Sequence, residues 1–228
     1  MRLAHPLPPL ALTMVLLSLA PAAHAQNDAA YRERVRFDTC LGQIQIDPTD
    51  AVERAQTWRV EGGGWPAEVC EARALIALGE VRIGADILAN LADGQAVGMV
   101  EPERAELLTL AGDARFAAGL TEAAEAAYDA ALALQPDAVP TRLARAQLRA
   151  EAGNWAGLRE DAEALIEAAP YLAAGWRYRG QVHLMSGELD LAWQDMTRAR
   201  AEEPDDIASL LLRGAILEAR RTDAAPEQ

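Results

Sequence analysis

Residues 105–138 read AELLTLAGDARFAAGLTEAAEAAYDAALALQPDA. Two apolar-periodic segments of helical length flank a turn at Gly119, and Pro136 closes the second segment because proline cannot continue a helix. Gly112, Ala124 and Ala131 are small, and small residues let two helices approach closely where a large side chain would hold them apart. The same marks recur downstream at a step of 34 residues: Pro136, Pro170 and Pro204; Gly119, Gly153 and Gly187; Gly112, Ala146, Gly180 and Gly214. A period of that length marks stacked helix pairs. One pair cannot bury its own apolar face, so neighbouring pairs must supply a shared core. No segment shows the period-2 alternation of a strand, and the chain reads as all-α.

These residues resemble the tetratricopeptide repeat. Gly112, Gly119, Ala124, Tyr128, Ala131 and Pro136 match its positions 8, 15, 20, 24, 27 and 32. Residues 139–172 follow in frame with Ala146, Gly153, Trp155, Leu165 and Pro170, and 173–206 with Trp176, Gly180, Gly187, Ala192, Ala199 and Pro204. Residues 65–98 form a degenerate copy through Ala72 and Gly79, and about six extra residues near Met99–Arg104 break the frame. Residues 207–221 carry the first-helix pattern alone and read as a capping helix, with a disordered tail at 222–228. The resemblance implies a right-handed superhelical solenoid that binds protein or peptide in its concave groove, without catalysis or cofactor.

Before the repeats, a helix is expected over 28–45, a break at Asp47-Pro48, and a second helix to Val60, which makes 26–64 an N-terminal helical pair. Asp50 with Glu53 resembles a capping box. Gly62-Gly63-Gly64 reads as a turn, since a phosphate-binding loop needs a following Lys-Ser/Thr and a preceding strand. Residues 1–25 read as a signal peptide: Arg2, an apolar run from Leu10 to Ala20, and Ala23-His24-Ala25 before the expected cut. That predicts a periplasmic or secreted chain. Cys40 and Cys70 are the only cysteines. In an exported chain an even count suggests a disulfide, with two buried thiols as the alternative.

The formal charge is −14, and every one of the 21 basic residues is arginine. That acidity argues against nucleic acid or an anionic lipid surface as partner. His183 is the single histidine beyond the leader, so a site built on several imidazoles is excluded; it reads as an inter-helix residue. No nucleophile–base spacing stands out, and no catalytic or metal residue is assigned.

By the resemblance, the groove is lined by Arg73 and Ile76, then Thr109, Asp113 and Phe116, then Leu143, Gln147 and Glu151, then Arg177, Tyr178, Gln181 and Leu184. Arg177, Tyr178 and Gln181 form the most binding-like patch, since Arg and Tyr are enriched at interface hot spots; a solvated helix face is the alternative. The carboxylate clamp of chaperone-binding members needs Lys and Asn where this chain has Thr109, Asp113, Ala144, Ala174 and Tyr178, so that ligand is not expected. Two departures stand out. Position 7 is normally apolar but holds Arg145, Arg179 and Arg213, a ladder whose heads are expected to pair with acidic neighbours. Position 11 is normally aromatic but holds Arg115, Arg149 and His183, which is expected to loosen the packing between repeats. A permanently packed structural subunit or homo-oligomer is the competing function, with Trp193 as its candidate convex-face contact.

Overall fold

The structure is a computed structural model that describes residues 20–94 and 96–223, with side chains from residue 30 onward. Among the described residues there are eleven helices and no strand. They are α1 (Ala20–Ile44), α2 (Pro48–Val60), α3 (Gly64–Ala77), α4 (Val81–Asp93), α5 (Glu101–Ala117), α6 (Thr121–Leu134), α7 (Val139–Ala152), α8 (Trp155–Ala168), α9 (Ala173–Met185), α10 (Leu189–Glu202) and α11 (Ile207–Asp223). The expected leader at 1–25 lies outside the described residues except for the backbone of 20–25, which α1 includes. Of the expected tail, 222–223 are helical and 224–228 lie outside the described residues.

Each helix packs on the next, and α5, α7, α9 and α11 also run side by side. That is a solenoid of antiparallel helix pairs. The turn glycines explain the tight reversals: Gly119, Gly153 and Gly187 sit at φ of +74°, +70° and +75°, a region that side-chain-bearing residues avoid. The small-residue column explains how closely the pairs approach. A Cβ on Gly112 would stand 2.6 Å from the ring of Tyr128, which is fully buried and cannot swing away. Gly112→Ala is therefore expected to lower unfolding free energy by about 1–3 kcal/mol through overpacking, read as a shift in urea midpoint.

The core runs along the stack as successive clusters. Val69, Leu88, Leu107, Leu108, Ala111 and Ala131 join α3 through α6, and Ala146, Leu158, Ala162, Leu165, Tyr178 and Val182 join α7 through α9. Two expectations change. Asp47, not Asp50, caps α2: its carboxylate accepts from the backbone N–H groups of Thr49 and Asp50, and Pro48 takes the first helical position, where no N–H is needed. The insertion near 99–104 adds a first turn to α5. Glu103 accepts from the Val100 N–H at 2.9 Å, and the Arg104 guanidinium donates to the Ala92 carbonyl at the end of α4.

Cys40 on α1 and Cys70 on α3 form a disulfide with their Cα atoms 6.2 Å apart. Both are buried beside Ala55, Trp58 and Ala67. The bridge fastens the first helix across α2 to the repeat array.

Candidate functional site

The first helices of successive pairs form one face of the stack, and two clefts open on it. The N-terminal one, of about 370 Å³, is lined by Leu41, Ile44 and Gln45 of α1 with Arg73, Ile76 and Asp113. The C-terminal one, of about 330 Å³, is lined by Ala150 and Trp155, by Gln181, Leu184 and Met185 of α9, and by Ala208, Leu211 and Ala215 of α11. It is mainly apolar, and Met185 and Leu211 are exposed at its rim. The carboxamide oxygen of Gln181 is buried there with no hydrogen-bond partner among the described residues.

The expected groove residues divide between these clefts and the core. Arg73, Ile76 and Asp113 meet in the first cleft, and Gln181 and Leu184 in the second. Thr109 is half-buried and shares a 2.9 Å hydroxyl contact with Thr141. Phe116 packs against the Tyr128–Leu148 cluster, and Leu143 against the core of α8 and α9. Gln147 and Glu151 are exposed and joined to each other along α7 at 3.0 Å. Tyr178 is 6 % exposed and belongs to the core between Leu158 and Val182. The expected surface patch therefore contracts, because the aromatic ring is spent on packing. Arg177 stacks 4.4 Å from that ring and lies 3.6 Å from Asp206.

Sequence reasoning missed the α11 side of the second cleft. Ala208, Leu211 and Ala215 hold the same frame positions as Ala174, Arg177 and Gln181 one repeat earlier, so carrying the frame past 206 finds them. The α1 side of the first cleft has no repeat signal and was not legible.

Of the position-7 and position-11 departures, Arg145, Arg179, Arg115, Arg149 and His183 form the electrostatic skeleton. Arg213, also expected to pair with an acidic neighbour, makes no ion pair among the described residues, because no acidic second-helix residue stands opposite it there. Asp161 on α8 is fully buried; Arg145 donates to it from Nε at 3.0 Å and Nη2 at 2.5 Å, and Arg149 from Nη1 at 2.9 Å. Arg149 also reaches the Gly157 carbonyl and Glu125. One repeat on, Arg179 grips Asp195 at 2.8 and 2.7 Å. His183 is buried, with Nδ1 2.6 Å from Glu188, a hydrogen bond that holds the Glu188 carboxyl below its ordinary pKa. These groups bind helices together, so the expected loosening at position 11 does not occur. Tyr128 does similar work: its hydroxyl donates to Asp113 at 2.7 Å, and burial first, then that bond, push its pKa well up. Trp193, the expected convex-face contact, is half-buried with Arg220 5.0 Å over its ring.

Asp206 caps α11, accepting from the N–H groups of Ala208 and Ser209 and from the Ser209 hydroxyl. Burial pushes its carboxyl up, but those bonds and Arg177 outweigh it, and its pKa stays below the usual value of 3.8. A depressed folded pKa gives stability that is complete above the unfolded value and lost as pH falls through the folded one. Hydrogen exchange in α11 should thus quicken as pH drops below about 3.8, after correction for intrinsic rates. Asp206→Asn should remove most of that pH dependence.

Among the described residues no helix is long and apolar enough to cross a membrane, and no cluster of three or more His, Cys, Asp or Glu side chains could hold a metal.

No protein-family profile matches the sequence, and no curated protein matches it significantly. Solved structures do. A tetratricopeptide repeat protein from Parabacteroides merdae aligns at TM-score 0.64 and 14% identity, over 83% of this chain and 75% of that one. YrrB, described as a tetratricopeptide repeat protein with an unusual peptide-binding site, aligns at 0.61 and 13%, over 78% and 90%. MamA aligns at 0.61 and 16%, over 75% and 92%. The chain has the tetratricopeptide-repeat fold.

Proposed function

We propose that this protein is a non-enzymatic interaction scaffold that holds a peptide or helix against the first-helix face, and that it works in the bacterial cell envelope. The observation that carries the binding reading is the C-terminal cleft, where Leu184, Met185 and Leu211 leave an apolar hollow beside an unpartnered carboxamide. A partner segment that inserts one apolar side chain fills the hollow. YrrB, of the same fold, is described by its peptide-binding site, which supports this use of the surface. The envelope reading rests on the leader-like segment at 1–25 and on the Cys40–Cys70 bridge, which persists in an oxidising compartment.

The test is affinity capture from the native envelope fraction with the 26–228 chain and its Met185→Glu variant. Met185 is exposed at the cleft rim, so a charge there spares the core packing of Leu184 against Leu212 and Ile216, but it resists desolvation under a partner. A partner recovered by the unaltered chain and reduced about tenfold or more in the variant is the expected result. Equal recovery by both would show that the cleft does not bind the partner and favour the permanently packed subunit.

A further inference from the structure

The helix α11 presents a complete second-helix seat that no second helix among the described residues fills. In the three pairs from α5 to α10, the first helix seats its partner through position 1, position 4, an arginine or small residue at 7, a small residue at 8, and position 11. On α5, Ala105, Leu108 and Ala111 are buried at such sites. On α7 and α9 the arginine of position 7 reaches 16 residues ahead to an aspartate, from Arg145 to Asp161 and from Arg179 to Asp195. The frame puts Ile207, Leu210, Arg213, Gly214 and Leu217 at these sites on α11. Ile207 is 73% exposed, Leu210 41% and Leu217 45%, and Arg213 is exposed without an ion pair among the described residues. Gly214 makes the case sharpest. A Cβ on Gly112 would strike Tyr128 and one on Gly180 would lie 3.4 Å from the Asp195 Cβ, whereas one on Gly214 meets nothing within 4 Å. A glycine that permits close approach is in place, and among the described residues nothing approaches it.

We infer that α11 docks an amphipathic helix of a partner protein, with a small-residue stripe against Gly214 and a carboxylate paired to Arg213. The chemistry of that helix is read from α8 and α10, whose Asp161 and Asp195 stand at the same frame position, each on a helix that also buries small residues, Ala162 on α8 and Ala192 and Ala199 on α10. Charge argues against a second copy of α11. Pairing two such helices around Gly214 sets Arg213 near Arg213, and the nearby Glu218 is already held by Arg221 at 2.7 Å. The site is separate from the cleft, whose α11 residues Ala208, Leu211 and Ala215 lie on another stripe of the helix.

A labelled peptide of residues 186–204, which contains α10 with its aspartate at 195, serves as probe against the full chain, followed by fluorescence anisotropy. Saturable binding with Kd below about 1 mM is expected. Changing the peptide's aspartate to asparagine, or Arg213→Gln in the protein, should weaken it roughly fivefold to tenfold. Gly214→Leu should abolish it, and the circular dichroism of that variant should stay helical because its added side chain meets open space. Met185→Glu, at an exposed cleft residue of α9, should leave it unchanged, which separates this site from the cleft. No binding, or binding that survives Gly214→Leu, overturns the inference. Concentration-dependent dimers of the unaltered chain that Gly214→Leu disperses would also overturn it, in favour of self-association.

Discussion

Asp161→Ala is expected to lower the unfolding free energy by about 3–5 kcal/mol, the largest loss from any single charge described here. Asp161 is fully buried, and the side chains of Arg145 and Arg149 that grip it are only 13% and 10% exposed. A third arginine, Arg142, stands 3.5 Å away. Removing the carboxylate leaves clustered guanidinium groups to repel one another with little water to screen them. Asp129 and Glu125 remain on the far sides of Arg145 and Arg149, yet both are more exposed and neither forks against a guanidinium as Asp161 does. The contrast within the ladder makes the prediction specific. Arg213 has no such partner, so Arg213→Ala should change stability by no more than about 0.5 kcal/mol. Chemical denaturation of the two variants reads both numbers. If Asp161→Ala proves as mild as Arg213→Ala, the buried cluster does not hold α7 to α8.

Loss of the disulfide is the second large effect. Cys40 and Cys70 are separated by 30 residues, and in the chain-entropy model closing that loop stabilises by about 3.5 kcal/mol. The loss should be uneven. A stacked array is held by nearest-neighbour contacts, so opening one end leaves the far repeats standing. Cys40→Ser/Cys70→Ser should therefore expose the amides of α1 and α2 to exchange while α7 through α10 stay protected. A uniform loss of protection along the chain would show instead that the stack unfolds as one unit.

The fold was legible because its punctuation is local. Gly119, Gly153 and Gly187 declare the turns, and Pro136, Pro170 and Pro204 fall two residues past the ends of α6, α8 and α10. Both signals act through backbone geometry and survive any choice of side chains around them. The site was less legible because a frame position states only which way a residue leaves its helix. Position 6 faces the groove in the resemblance, but Tyr178 is drawn inward, where its ring fills space between Ala146 and Leu165. Position 11 was expected to pack poorly with arginine. Arg149 instead finds three acceptors, because Asp161, Glu125 and the Gly157 carbonyl converge from α6 and α8. Such convergence depends on three helices at once, and no spacing within one repeat encodes it. The α2 cap shifted from Asp50 to Asp47 for a simpler reason: Pro48 prefers the first turn of a helix to its flank.

The most direct test of groove recognition is hydrogen exchange on the protein alone and in complex with the partner that affinity capture yields. Slowed exchange is expected on the first-helix face at the C-terminal end, in residues 177–185 and 208–215. Protection confined to α1 and α2, or spread over the second helices α6, α8 and α10, would contradict it.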